Sequence, residues 1–194
     1  MNNNQVLDEF RAAEALLEGH FVLSSGLHSR TYLQCARVLM DTRRASRLAE
    51  ALAEKIKANC DNEIDAVVAP AMGGLIIGHE VARALNVPSM FLERVDGTFA
   101  LRRGFHLAGT KRVVMVEDIV TTGLSSREAI AAIEAHGGEV VGAGCLIDRS
   151  GGEADIGVKL ASLASIVVET FSADAVPADL ADVPAVKPGS RGLK

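Results

Sequence analysis

Residues 112–126, RVVMVEDIVTTGLSS, carry the clearest structural pattern in the sequence. Its residues 113–116 are apolar and mostly β-branched, which is typical of a strand buried on both faces of a parallel sheet. The apolar run stops at two adjacent acids, and we predict that the strand ends at Glu117. A helix is expected to begin at Ser125, which would cap it, and to stop before Gly137. The segment therefore predicts a strand, a turn and a helix in succession.

The turn between this strand and this helix, TTGLS, has the composition of a phosphate-binding loop. Successive backbone N–H groups lie there at the positive end of the helix, and Gly123 carries no side chain that would obstruct an anion. The carboxylates of Glu117 and Asp118 cannot bind that phosphate, because like charges repel. They are expected to bind hydroxyl groups or a metal ion beside it, and a ribose phosphate satisfies both demands. The alternative is a sheet strand that merely ends in two acids.

Strands and helices alternate on both sides of this segment. Asp41 is expected to cap a helix that reaches Asn59. Residues 64–70, IDAVVAP, predict a strand that passes through the turn AMGGL into a helix near Leu75. Further strands are predicted at residues 88–94 (PSMFLER), 139–148 (EVVGAGCLID) and, at the edge, 165–171 (SIVVETF). This alternation predicts an α/β fold with a central parallel sheet flanked by helices.

The two ends of the chain do not follow this alternation. Apolar residues at three- and four-residue spacings predict an amphipathic helix over residues 5–18, and residues 21–34 predict a hairpin of two short strands. Residues 95–109 lack a core pattern and are long enough for a mobile lid. We therefore divide the chain into an N-terminal helix and hairpin within the same domain (1–40), an α/β core (41–171) and an extended C-terminal tail (172–194).

The composition restricts the classes of function. A chain of 194 residues with 48% hydrophobic content can bury one core, and a net charge of −5 without a basic block argues against nucleic-acid and membrane partners. The three cysteines, Cys35, Cys60 and Cys145, are widely spaced and predict reduced thiols. The polar N-terminal segment has no signal pattern, so we expect a cytoplasmic protein.

The motif VVMVEDIVTTGLSS resembles the phosphoribosyl-pyrophosphate signature of the type I phosphoribosyltransferases: four apolar residues, two acids, two apolar residues, then Thr-Thr-Gly. Three further segments, GHFVLSSGLHSRTYLQ at 19–34, APAMGGLIIGHEVARAL at 69–85 and LRRGF at 101–105, narrow the resemblance to the orotate phosphoribosyltransferase family. It spans nearly the whole chain. It implies the type I phosphoribosyltransferase fold with a small N-terminal hood, here the hairpin of residues 21–34, over the base. It also implies transfer of a phosphoribosyl group to orotate in pyrimidine (UMP) biosynthesis.

The resemblance assigns roles to particular residues. The catalytic residues implied are Asp118, Glu117, Arg103 and Arg102. The residues implied to bind phosphoribosyl pyrophosphate are Glu117, Asp118, Ile119, Val120, Thr121, Thr122, Gly123, Leu124, Ser125, Arg94, Gly73 and Gly74. Thr121 and Arg149 would bind orotate, and a guanidinium is suited to grip its carboxylate with two hydrogen bonds. The cofactor implied is Mg²⁺, bound mainly through the substrate, and the assembly implied is a homodimer whose lids are shared between subunits.

Several of these residues also have a structural interpretation. The Gly73-Gly74 turn could serve close helix–strand packing alone, the Arg102-Arg103 pair could be solvated surface, and Arg149 could pair with a structural acid. The chain also departs from the family pattern. Many members have a lysine-rich lid, whereas the lid here has arginines and no lysine. His106 is a second candidate for the role of the usual lysine. If Arg149 does not set specificity, the hood around His28 and Tyr32 is the alternative. A purine-type phosphoribosyltransferase and a non-catalytic sensor of phosphoribosyl pyrophosphate stay open as functions.

Overall fold

The computed structural model describes residues 1–23, 25–60, 63–107, 109 and 112–188. Along the chain its elements are α1 (Asn3–Ala12), β1 (Leu16–Val22), β2 (His28–Leu33), α2 (Cys35–Leu39), α3 (Thr42–Asn59), β3 (Ala66–Pro70), α4 (Gly74–Leu85), β4 (Ser89–Val95), β5 (Thr98–Leu101), β6 (Arg112–Val120), α5 (Leu124–Ala135), β7 (Glu139–Asp148), β8 (Leu160–Ser165), β9 (Thr170–Phe171) and α6 (Ala178–Ala181).

The main sheet has the strand order β5-β4-β3-β6-β7-β8. Its neighbouring strands are parallel, except for the antiparallel pair β4–β5 at one edge. All five residues of β3 are buried, because helices cover both faces. One core cluster joins α1, α3 and α4 to the sheet, and a second joins α5 to the opposite face. The predicted α/β fold with a parallel central sheet is confirmed.

Helix α3 follows the predicted pattern closely. One carboxylate oxygen of Asp41 accepts hydrogen bonds from the backbone N–H groups of Arg43 and Arg44, each at 3.0 Å. The inner face of the helix is buried, including Leu52 and Ile56. The predicted cap and the predicted end at Asn59 are confirmed.

Strand β6 is longer than predicted. It continues beyond Glu117 to Val120, because its backbone stays paired with β7 as far as the contact between Val120 and Asp148. The two acids therefore lie within the strand. Successive side chains of a strand point to opposite faces, so Glu117 and Asp118 face different sides of the sheet.

The N-terminal helix was predicted too long. It ends at Ala12, and the next residues form a Schellman turn in which Glu14 takes a left-handed conformation with φ 49°. The N–H of Ala15 bonds to the carbonyl of Phe10 at 2.8 Å. Strand β1 then begins at Leu16. Leu16 and Leu17 continue the helical spacing by coincidence, since their backbone pairs with Leu33 and Tyr32 instead.

The region from 95 to 109, predicted as a lid without core structure, begins as a hairpin. Asp96 and Gly97 both have positive φ, 49° and 86°, as the tight turn between β4 and β5 requires. Phe99 is buried under the guanidinium of Arg94, whose carbon lies 4.1 Å from the ring centre. The Asp-Gly pair is a sequence signal for this turn, so the hairpin was predictable.

The last strand of the parallel sheet is β8, which lies earlier than the predicted edge strand of residues 165–171. The chain leaves the sheet after Ser165, and Thr170–Phe171 pair with His28 and Ser29. The predicted hairpin of β1 and β2 is confirmed, and β9 is its third strand. The apolar residues in the middle of 165–171 suggested a strand that packs on the core. The prediction was wrong because Val167, one of these residues, is exposed.

The tail is extended in part, with the short helix α6 as an exception to the prediction. It crosses the hood, where the N–H of Val186 donates to the carbonyl of His20 and the N–H of Val22 donates to the carbonyl of Val186, both at 2.8 Å. Arg30 of β2 also pairs with Asp179 at 2.8 Å. Predictions for residues 189–194 and for Ser24 lie outside the described residues.

Candidate active site

Glu117 lies at the carboxyl end of β6 and faces helix α5. It is 6% exposed, and its Oε2 accepts a hydrogen bond from the hydroxyl of Ser126. Burial raises the pKa of Glu117; the hydrogen bond from Ser126 lowers it, and the charge of Asp118 raises it. This carboxyl group is therefore fixed in place and desolvated.

Asp118 faces the opposite side of the sheet, towards the turn that follows β3. One carboxylate oxygen, Oδ1, accepts from the N–H of Ile119 at 2.9 Å, and burial raises the pKa of the group. A Cβ atom on Gly73 would lie 2.6 Å from Oδ1, so this carboxylate requires glycine at that position. A Cβ atom on Gly74 would lie 2.8 Å from the carbonyl oxygen of Val116. Close packing thus explains Gly74, and approach to Asp118 explains Gly73.

The predicted phosphate loop joins β6 to α5. Its side chains at Thr121, Thr122, Leu124 and Ser125 are exposed. Gly123 is the N-cap of α5 in a left-handed conformation with φ 74°, so the predicted cap by Ser125 is wrong. The hydroxyl of Thr122 accepts a long hydrogen bond from the N–H of Leu124 at 3.4 Å. The loop and the first turn of the helix present backbone N–H groups, which is an arrangement that binds anions.

Arg149 follows β7 at the same edge of the sheet. Its N–H donates to the carbonyl of Val120 at 2.8 Å, which places it beside Thr121. Its Nε is buried and has no hydrogen-bond partner among the described residues, and burial lowers the pKa of the guanidinium. The preceding Asp148 does not serve as that partner. Its oxygens accept instead from both the N–H and the hydroxyl of Ser150, at 2.8 and 2.6 Å, and from the N–H of Gly152 at 2.9 Å.

Comparison with known proteins identifies the family of this chain. The phosphoribosyl transferase domain family matches residues 38–177. The orotate phosphoribosyltransferase of Erythrobacter litoralis is 61% identical over 98% of this chain and 99% of its own length. The chain belongs to the orotate phosphoribosyltransferase family. The enzyme of that name from Caulobacter vibrioides is 59% identical over the full length of both chains. The crystal structure of orotate phosphoribosyltransferase from Aeropyrum pernix has a TM-score of 0.70 at 30% identity, covering 83% of this chain and 93% of that one.

A cavity of about 710 Å³ adjoins Asp118 and the Gly73 turn. Its far wall comes from the hood and α2 and includes Tyr32. Burial raises the pKa of Tyr32, the charge of Asp118 acts in the same direction, and the charge of Arg149 opposes it. Tyr32 therefore lines the same cavity as Asp118. The sequence suggested Tyr32 only as an alternative, since hood and sheet are distant along the chain.

The other predicted arginines lie at the β4–β5 hairpin, where Arg94 and Arg103 bind acids of the same chain. Arg103 holds Glu93 through two nitrogens, at 3.1 and 2.7 Å, and Arg94 holds Glu128 at 2.5 Å. Arg102 is exposed. The structure therefore brings Glu117, Asp118, Gly73, the phosphate loop and Arg149 together, and it leaves Arg102 and Arg103 at the surface. His106 is exposed and contacts the carbonyl of Gly104 at 3.1 Å.

Two residues of this site escaped the sequence analysis. Ser126 bonds to Glu117 from within α5, and Arg127 bonds to the carbonyl of Asp155 at 2.6 Å, next to the phosphate loop. Ser126 is the last residue of the motif and Arg127 follows it, so their position was a usable signal. The partner of Arg127 was not predictable, because Asp155 lies in a distant loop.

The described residues contain neither a group of side chains suited to bind a metal ion nor a membrane-spanning helix. Among the described residues, no group of three or more His, Cys, Asp or Glu side chains could hold a metal ion. Within the same ranges, no helix combines the length and apolar character needed to cross a bilayer.

Proposed function

We propose that this chain transfers the phosphoribosyl group of 5-phospho-α-D-ribose 1-diphosphate to orotate, giving orotidine 5′-monophosphate and diphosphate in de novo UMP biosynthesis. Family membership supports the reaction class. The observation that carries the choice of base is the buried Nε of Arg149, which has no partner among the described residues. Orotate carries a carboxylate that supplies such a partner, whereas the purine bases of the alternative transferases do not.

The acid pair and the loop would hold the ribose phosphate. Glu117 and Asp118 would accept hydrogen bonds from the 2′- and 3′-hydroxyls, and residues 121–125 would bind the 5′-phosphate through N–H and hydroxyl groups. Ile119 and Val120 join these two parts. Departure of pyrophosphate leaves positive charge on the ribose ring, which the two carboxylates would stabilise. The reaction requires no side-chain nucleophile.

Mg²⁺ fits this arrangement as a substrate-bound ion. Carboxylate and hydroxyl oxygens are ligands that Mg²⁺ accepts, and it commonly binds through one or two carboxylates together with substrate phosphates. Glu117 and Asp118 are the residues of this chain that would stand nearest to it. When bound, it would neutralise charge on the leaving pyrophosphate.

The remaining groups would serve the pyrophosphate and the base. Gly73 and Gly74 would let backbone approach the pyrophosphate, and Arg102 and Arg103 would close over it, with Arg94 beside them. Arg103 would then exchange Glu93 for the substrate. Thr121 and Arg149 would hold orotate.

A substrate panel tests this function. Purified protein with phosphoribosyl pyrophosphate and Mg²⁺ is given orotate, uracil, hypoxanthine or adenine in separate reactions, and pyrophosphate release is measured. We expect turnover with orotate alone. Turnover with a purine would support the purine-type alternative, and binding of phosphoribosyl pyrophosphate without any turnover would support a sensor.

We further propose a cytoplasmic homodimer in which the lid of each subunit completes the site of the other. Arg103→Ala and Asp118→Asn homodimers should each be nearly inactive. Mixed under conditions of subunit exchange, they should regain activity up to one intact site per heterodimer, because a two-fold interface places both substitutions in one of its two sites. Exchange demonstrated by mass spectrometry without recovered activity would mean that the lid acts within its own subunit.

A further inference from the structure

The guanidinium of Arg149 lacks an acidic neighbour. Its buried Nε has no hydrogen-bond partner among the described residues. The ionisable groups whose charges act on the guanidinium are Cys35 and Tyr32. Both are neutral near pH 7, because burial raises the pKa of each group above an ordinary value that is already alkaline. No carboxylate of the described residues is among these groups, so an ion pair does not hold the guanidinium in place.

The backbone of Arg149, by contrast, is held from both sides. Its N–H donates to the carbonyl of Val120 at 2.8 Å. The turn that follows is bonded to the carboxylate of Asp148, a residue that is 4% exposed. One oxygen, Oδ1, accepts from the N–H and from the hydroxyl of Ser150, and the other, Oδ2, accepts from the N–H of Gly152.

Both oxygens of Asp148 are thereby occupied, which has two consequences. Asp148 is adjacent to Arg149 in sequence, and a carboxylate that paired with the guanidinium would neutralise the charge that a substrate carboxylate requires. The three hydrogen bonds also fix the direction in which the chain leaves β7, and this direction decides where the guanidinium lies. The hydroxyl of Ser150 extends the network, since it accepts from the N–H of Ala154 at 2.9 Å.

We propose that Asp148 is a positioning residue of the transfer reaction, which holds the turn after β7 so that Arg149 presents an unpaired guanidinium to the carboxylate of orotate. A long side chain reaches its substrate reproducibly only when its own backbone is fixed by surrounding hydrogen bonds. Asp148 itself does not touch the substrate. The inference rests on the proposed function, because Asp148 acts through the contact between Arg149 and orotate.

The first test compares Asp148→Asn with a matched control, Asp155→Asn, on the same connection from β7 to β8. The carboxylate of Asp155 accepts from the N–H of Gly157 at 2.9 Å, and the carbonyl oxygen of an asparagine can keep this bond. Asparagine cannot replace Asp148 in the same way, because its NH₂ group would face a donor of Ser150 or of Gly152. We expect kcat/KM for orotate to fall by about 10²-fold in Asp148→Asn, the effect of a misplacement of about 1 Å. The control should keep the wild-type value.

The second test measures binding without turnover, by isothermal titration calorimetry of orotidine 5′-monophosphate and uridine 5′-monophosphate. The two nucleotides share the ribose phosphate and differ by the carboxylate on the base. Asp148→Asn should lose most of the wild-type preference for orotidine 5′-monophosphate, while its affinity for uridine 5′-monophosphate should hardly change. Damage to the phosphate loop or to the fold would weaken the binding of both nucleotides equally, so the ratio of the two affinities isolates the carboxylate contact.

Ser150 provides a milder variant if Asp148→Asn does not fold. Ser150→Ala removes the hydroxyl from the network and leaves the hydrogen bond from its backbone N–H to Asp148. It should lower the same nucleotide preference by about 10-fold, the smaller end of the effect of a hydrogen bond to a charged group. Ser150→Thr keeps the hydroxyl and should restore the wild-type preference.

The outcomes separate this inference from the proposed function. A wild-type protein that does not use orotate would overturn the proposed function. If Arg149→Ala abolishes the nucleotide preference but folded Asp148→Asn and Ser150→Ala retain it, the role of Asp148 alone is wrong. Equal weakening of both nucleotides in Asp148→Asn would also contradict that role, because the carboxylate would then serve only the stability of the loop. A preference that survives in Arg149→Ala would place the carboxylate contact elsewhere and overturn the inference as well.

Discussion

Arg149→Ala should lose most of its use of orotate, with kcat/KM falling by about 10⁴, while its poor use of uracil hardly changes. The reason is the half-buried guanidinium, whose buried Nε has no partner among the described residues. A ligand with a carboxylate would satisfy it, and a ligand without one would leave it desolvated and unpaired. Wild type should therefore reject uracil strongly, and this preference should vanish with the arginine.

Values of kcat/KM for both bases in wild type, Arg149→Ala and Arg149→Lys provide the measurement. Arg149→Lys should recover only part of the orotate activity, because an ammonium group supplies charge without the two-pronged geometry. Affinity for phosphoribosyl pyrophosphate should change little, since the phosphate loop is a separate segment. Arg83→Ala, which removes an exposed arginine of α4 paired with Glu80, is the control. Equal losses for orotate and uracil would assign Arg149 a structural role and move specificity to the hood around His28 and Tyr32.

Asp118→Asn should lower kcat by about 10²–10³, the usual effect of removing one preorganised electrostatic contact. The amide keeps the size of the side chain and can still accept from the N–H of Ile119. It lacks the negative charge that the cationic ribose would require. The fold should persist, because the group faces the Gly73 turn and belongs to neither of the two core clusters.

Stability gives a second measurement on the same variant. Burial raises the pKa of Asp118, so folding favours its protonated form. The free energy of unfolding in wild type should therefore fall as pH rises from the ordinary aspartate range through the raised pKa. Asp118→Asn should lack this contribution and have an equal or higher Tm at pH 7. Asp41→Asn, which preserves the cap of α3, is the control and should keep full activity. Full activity in correctly folded Asp118→Asn would refute the assigned role.

The central part of the fold was predictable because its signals are local. The strand–loop–helix unit from Arg112 to Ala135 follows from β-branched residues, a glycine turn and a helical stretch that are adjacent in sequence. Helix α3 was equally clear, since Asp41 caps it within three residues. The strand was predicted to end at Glu117 but continues to Val120, because sequence cannot show that β7 goes on pairing with β6 beyond Glu117.

The errors lie where distant segments decide the structure. Thr170 and Phe171 form a strand only because His28 and Ser29 offer an open edge. Leu16 belongs to a strand because Glu14 breaks the helix in a conformation unusual for that residue. In the site, the sequence predicted that Arg149 lies at the end of a strand. The close approach of Gly73 to Asp118 was not predictable, because the two residues belong to segments that are distant in sequence.

The hood draws its strands from both ends of the chain. Strands β1 and β2 are synthesised before the main sheet, but β9 and the segment that bonds to Val22 are synthesised after it. All strands of the main sheet have been synthesised once residue 165 has emerged. The sheet can therefore begin to form before β9 and the segment around Val186 are available to the hood. During synthesis, the half of the site that is predicted to bind phosphate can therefore form before the half that is predicted to cover the base.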